Sequence, residues 1–242
     1  MDVNGVTALV TGAARRVGKA TALGLAASGA DLVIHYGRSA ADAEQTAAEA
    51  EALGARVRLV SADLSRPGAA ESVFDGVGDL EPVRILVNSA ASFPKDTLAD
   101  VERDRWEATQ SLVLAAPIFL TQAFARRLPD DLEGCVVNVT DWRTARPYRD
   151  HFSYTVAKGG LDTFTAAAAE ALAPRIRVNA VALGAILPPP GEGSDYLKAL
   201  ASEIPVQRVG GTDPVVEAVL FLIRNHFVTG EIVRIDGGAH LR

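Results

Sequence analysis

Short apolar runs recur along the chain between longer Ala-rich stretches whose apolar positions return every three to four residues. The runs Val6–Val10, Asp31–His35, Arg56–Ser61, Arg84–Asn88, Cys135–Thr140, Arg177–Ala182 and Glu231–Ile235 are short and rich in β-branched side chains, which predicts strands. Helical spacing covers Arg15–Ala27, Ala40–Leu53, Gly68–Val77, Asp104–Leu128, Phe152–Ala173 and Pro214–Arg224. Strands alternating with helices predict an α/β fold: a doubly wound, mostly parallel sheet of about seven strands with helices on both faces. One composition shift, Pro188-Pro189-Pro190-Gly191-Glu192-Gly193-Ser194, is too rigid and helix-averse to continue a regular element. It reads as part of a rim or lid loop over residues 185–208.

Composition narrows the class. At 242 residues a single domain, 1–242, is the better reading. Such a domain buries enough surface to need no disulfide or metal staple. With 48% hydrophobic and 22% charged residues it is neither coiled coil nor collagen. A formal charge of −6 offers no broad cationic surface to nucleic acid. The lone Cys135 lies in an apolar run and reads as a buried thiol. No apolar run reaches the ~18 residues of a membrane span, and Met1-Asp2-Val3-Asn4-Gly5 does not begin a signal peptide. The expectation is a cytoplasmic protein with no membrane partner.

The first chemical signal is Thr11-Gly12-Ala13-Ala14-Arg15-Arg16-Val17-Gly18, between the first strand and the first helix. Glycines there let a dinucleotide pyrophosphate approach backbone amides and the positive end of a helix. Arg16 offers a guanidinium to phosphate. The second strand ends in His35-Tyr36-Gly37-Arg38-Ser39. An acidic residue here would bind a ribose 2′-hydroxyl, whereas Arg38 and Ser39 suit a 2′-phosphate, favouring NADP over NAD. Ser39 also reads as the cap of the helix from Ala40.

Tyr154 and Lys158, four apart, share one helix face, where the ammonium is expected to lower the phenol's pKa and make it a proton donor. Asp141 closes the preceding strand and can converge with Tyr154 at the ligand crevice.

These motifs resemble the short-chain dehydrogenase/reductase family over nearly the whole chain. The resemblance rests on the Thr11–Gly18 loop, Asp63-Leu64, Leu86-Val87-Asn88-Ser89-Ala90, Tyr154/Lys158, Arg177-Val178-Asn179, and Thr229-Gly230 with Asp236-Gly237-Gly238. It implies that Tyr154 supplies the proton while Lys158 holds the nicotinamide ribose. Within the family the chain is most similar to pteridine and dihydromonapterin reductases. That similarity lies in Arg16, His35–Ala41, Ala91-Ser92-Phe93-Pro94, Asp141 in place of a serine, and Gly238-Ala239-His240-Leu241-Arg242. It implies an NADPH site of Gly12, Arg15, Arg16, Val17, Gly18, His35, Tyr36, Arg38, Ser39, Asp63, Leu64, Asn88, Ser89, Ala90, Thr140, Tyr154, Lys158, Gly184 and Ile186. A pterin-like substrate is expected against Arg16, Ser92, Phe93, Asp141, Trp142, Tyr154 and Leu187, with Phe93 stacking on its ring. A homotetramer or a dimer is implied as well, built on the long helices and the C-terminal segment.

Physical argument supports the exchange at 141. Ketone reduction develops an alkoxide that an ionised carboxylate repels. A pterin instead presents N–H donors to Asp141, and its ring nitrogen must gain a proton. The chain departs from the family at Val113, where an asparagine commonly holds a relay water, with Ser111 the nearest polar residue, and at Leu183-Gly184-Ala185-Ile186. Three functions stand open: a pteridine reductase, a carbonyl or 3-oxoacyl reductase, and a cofactor-binding sensor or scaffold without turnover.

Overall fold

The computed structural model describes residues 1–80, 82–188 and 194–242. The seven apolar runs form the strands β1 (Thr7–Val10), β2 (Asp31–Tyr36), β3 (Val57–Ser61), β4 (Val83–Asn88), β5 (Gly134–Asp141), β6 (Ile176–Leu183) and β7 (Ile232–Ile235). They make one sheet of order β3-β2-β1-β4-β5-β6-β7 in which each neighbouring pair is parallel.

A parallel sheet buries both faces, and alternate side chains of a strand feed opposite cores. Val10 and Val137 join one cluster with Leu25, Ala43, Ala47 and Val219. These come from α1 (Arg16–Ala27), α2 (Ala40–Ala52) and α8 (Asp213–Arg224). Leu9 and Val136, one residue earlier on each strand, join the other cluster with Phe74, Leu120, Phe124 and Ala168. That face is covered by α3 (Ala69–Asp75), α5 (Ala116–Arg127) and α6 (Phe152–Leu172). Sheet order reverses at β1, between β2 and β4, so a crevice opens at the carboxyl ends of those strands.

The helix expected over 104–128 forms, with a π turn inside it. It runs as α4 (Arg103–Gln110), a π turn over Ser111–Ala115, and α5. The combined stretch Arg103–Arg127 is long and apolar enough to cross a membrane by length and composition, contrary to the expectation from apolar runs. In the fold it is a core helix, with Leu120 and Phe124 almost fully buried. A further helix, α7 (Ser194–Ala201), occupies part of the segment read as a loop. The rest of that Pro-rich rim, residues 189–193, lies outside the described residues.

Candidate active site

The loops after β1 and β4 are tied by Thr11. Its hydroxyl donates to Val87 O (3.4 Å) and accepts from Ser89 N (2.9 Å) and Ala90 N (3.0 Å). Gly12, at φ +64°, packs so closely that a Cβ would lie 2.9 Å from Ala90 Cα, and a Cβ on Gly18 would lie 2.3 Å from Gly12 O. Beyond this turn α1 begins without a side-chain cap, leaving first-turn N–H groups for an anion. Arg16 opens that helix at φ +57°, and its guanidinium donates to Pro188 O (2.8 Å). Asn88 donates through Nδ2 to Asn138 Oδ1 (2.9 Å) while its own Oδ1 is buried without a partner, as is Thr140 Oγ1. An uncapped helix end, close-packed glycines and buried polar atoms lacking partners fit a dinucleotide.

Several expected cofactor residues stand differently. His35 is buried, with Nδ1 accepting from Gly12 N (3.3 Å) and Nε2 donating to Ala62 O (3.0 Å). Burial lowers its pKa. This neutral ring shapes the glycine turn and presents nothing to a ligand. Arg15 reaches across to the Ser39 hydroxyl and pairs with Asp42 at 3.1 Å. Ser39 makes no cap bond to α2. Arg38 is exposed beside it, and Tyr36 is half-buried at the end of β2. Asp63 is engaged by Ser65, whose hydroxyl (2.6 Å) and N–H (3.1 Å) hold its carboxyl below the usual range. Leu64 and Ile186 are buried, and Val17 and Leu187 pack on the cores, so backbone is what they chiefly offer. Gly184 N donates to Ile235 O (2.9 Å), fixing the turn after β6.

On the substrate side β5 ends at Asp141. Its Oδ1 accepts from Arg143 N (2.8 Å) and its Oδ2 from the Tyr154 hydroxyl (3.0 Å). Lys158, one turn along α6 from Tyr154, donates Nζ to Val139 O (2.6 Å) and sits 5.7 Å from the Tyr154 ring centroid. Burial raises the Asp141 carboxyl and lowers Lys158 to about 8. Tyr154 is raised well above its ordinary value, first by burial and then by Asp141. The expectation that Lys158 lowers the phenol is therefore reversed: desolvation and a neighbouring carboxylate prevail in this cluster. What results is a buried phenol that donates to a carboxyl oxygen and holds its own proton strongly.

Phe93 is 41% exposed beside this pair, with its ring centroid 4.7 Å from that of Tyr154 in a T-shaped contact. His151 stacks on it at 3.6 Å and 14°, and Tyr148 meets it edge-wise at 5.7 Å. The segment carrying Phe93 is clamped to the start of α6. Asp96 accepts from Ser153 N (3.0 Å) and Oγ (2.5 Å), and His151 Nδ1 bonds Pro94 O (2.7 Å). Trp142 is buried under the Arg143 guanidinium at 4.4 Å, and Ser92 is half-buried. Thr11 was marked only as the start of the glycine loop, and Asp96, Arg143, Tyr148 and His151 were not singled out from sequence. Their partners lie on other loops, so spacing carried no signal, except that the Arg143–His151 stretch joins the two segments already marked.

A family model described as enoyl-(acyl carrier protein) reductase matches residues 12–240. L-xylulose reductase of Bos taurus is 34% identical over 97% of this chain and 96% of its own length. A 3-oxoacyl-[acyl-carrier-protein] reductase of Synechocystis is 31% identical over 96% of this chain and 95% of its own. A crystal structure of the FolM alternative dihydrofolate reductase 1 of Brucella canis, complexed with NADP, superposes with a TM-score of 0.95 at 34% identity, covering 100% of this chain and 96% of that one. The seven-stranded order, the glycine turn and the Tyr154/Lys158 helix agree with these likenesses, and the chain belongs to the short-chain dehydrogenase/reductase family.

Proposed function

We propose that the chain is an NADPH-dependent pteridine reductase that converts a dihydropterin to a tetrahydropterin. The observation that carries this reading is the 3.0 Å hydrogen bond between Tyr154 and Asp141 at the mouth of the crevice. A carboxylate there opposes alkoxide development but accepts from the amino and ring N–H groups of a pterin. Phe93, half-exposed and backed by His151, supplies a flat face for such a ring. The likeness to the Brucella canis reductase gives independent support.

NADPH is the cofactor this reading requires. Gly12, Gly18 and the first turn of α1 would hold its pyrophosphate, Arg38 and Ser39 its 2′-phosphate, and Lys158 its nicotinamide ribose. When bound, the dihydronicotinamide supplies hydride to a ring carbon of the substrate. Tyr154 Oη gives its proton to the adjoining ring nitrogen. Asp141, accepting the phenol's hydrogen bond through Oδ2, holds that donor in place for the transfer. Solvent then restores that proton, so each turnover consumes one hydride and one proton. Phe93 and Asp141 orient the ring throughout.

A carbonyl reductase is the second reading, favoured by the names of the two curated relatives. A non-catalytic sensor is disfavoured because the proton-donating cluster is intact. A homotetramer is the proposed assembly, supported by exposed Phe119 on α5, Val156 on α6 and Phe221 on α8. NADPH oxidation measured against dihydrobiopterin, dihydromonapterin, dihydrofolate and simple ketones tests the function. Turnover of a pterin is expected; reduction of ketones with no pterin turned over would replace the reading with the second one.

A further inference from the structure

Arg143 is held in an unusual way for a cation at the mouth of a crevice. Its guanidinium carbon lies 4.4 Å from the Trp142 ring centroid and 4.8 Å from that of Tyr148, so two aromatic rings hold the planar group. Its Nε is buried without a hydrogen-bond partner. Among the described residues no carboxylate lies within ion-pair distance of it. Its own N–H meanwhile bonds Asp141, so the charge is anchored two residues from the reacting pair. Tyr148 bridges the two parts of the site, edge-on to Phe93 at 5.7 Å and under Arg143. The exposed side chains of Arg146 and Arg149 continue the same segment, giving a cationic rim to a chain of formal charge −6.

We propose that Arg143 is a specificity-determining residue that receives an oxyanion borne on the substrate's extension, a carboxylate or a phosphate, while the ring lies on Phe93. The proposal rests on the pteridine reading above. A guanidinium pre-set by stacking presents a fork that matches such a group with little ordering cost. The ring contacts from Phe93 through Tyr148 place the fork beside the platform, within reach of a group that extends past the ring lying on it. The favoured substrate class is thus an anionic pterin such as dihydrofolate or a dihydropterin phosphate, over a neutral dihydropterin.

Fluorescence titration of the NADP-loaded protein with dihydrofolate, dihydroneopterin phosphate and neutral dihydrobiopterin tests this. Dihydrobiopterin should bind more weakly than at least one anionic ligand. Arg143→Leu should shift the ratio of anionic to neutral dissociation constants by about tenfold against the anion. Arg143→Lys, which keeps charge but loses the stacked fork, should fall between, and it stands in if the leucine variant does not fold. The anionic ligand that loses more identifies its source as carboxylate or phosphate. If all the pterins bind and the ratio does not move in either variant, the inference fails and the pteridine reading stands. If none binds or turns over in the unaltered protein, both fall.

Discussion

Tyr154 and Asp141 share a hydrogen bond in a buried place, and that bond fixes what each side chain can do. Desolvation penalises the ionised form of both, and Asp141 beside it raises the phenol further, so the phenol keeps its proton until a more basic atom is placed against it. Tyr154→Phe keeps the ring against Phe93 and removes that proton. Single-turnover measurements should show hydride transfer slowed by about 10²-fold or more with NADPH still bound. Near-normal turnover would assign the donor to Asp141 or water. Lys158 gives the pH dependence its direction. Its folded pKa, about 8, lies below that of an unfolded lysine, so its charge is lost as pH rises through about 8. Fewer protons are then bound in the folded than in the unfolded chain, and this group's contribution to stability rises with pH above that point. Activity should move the other way, with kcat falling as pH climbs through about 8, because the cluster loses the cation beside the phenol. The Tyr154/Lys158 spacing and the strand-end Asp141 were legible in sequence because helix and strand geometry bring them together locally. The direction of the phenol's shift was not, since it depends on how deeply tertiary packing buries the cluster.

At the scale of elements, periodicity located every strand within a few residues and read α4, the π turn and α5 as the one continuous helix they form. The π turn inside it was not legible, because it changes the backbone hydrogen bonding locally without changing which residue types a helix accepts. That turn carries Val113, which is 1% exposed and packs with Tyr154 and Ala157. The position where the family resemblance implies a relay asparagine is therefore an apolar wall behind the phenol. Val113→Asn would put an amide into this apolar cluster without a partner. We expect a loss of roughly 1–3 kcal/mol, read as a lower urea midpoint at unchanged slope, and no gain in kcat. A stable variant with raised kcat would show that the wall does admit a relay. The helix α7 escaped sequence reading because the prolines before it dominate the local pattern. The clamp of Asp96 on Ser153 escaped because its partners are 57 residues apart.

For the whole molecule, the single cysteine offers a direct measure of how cofactor binding and global stability are linked. Cys135 lies on β5, where every residue is buried between neighbours β4 and β6, and burial raises its thiol to about 11. No frayed end or mobile loop exposes it, so a thiol reagent should reach it only through opening of the central sheet. Labelling with an aromatic disulfide in native buffer should accordingly be slow and should track the unfolded population across a urea series. A ligand that binds only the folded chain lowers that population by its saturation. NADPH at about 100 times its dissociation constant should slow labelling by about 100-fold, corresponding to roughly 2.7 kcal/mol. NADH at the same concentration should protect far less, because Arg38 and Ser39 at the end of β2 would then face a hydroxyl where they suit a phosphate. Equal protection by the two cofactors would remove the role assigned to Arg38 and Ser39. Fast labelling that neither urea nor NADPH alters would mean that β5 opens locally, and that the sheet holding Asp141 at its end is less rigid than a buried central strand implies.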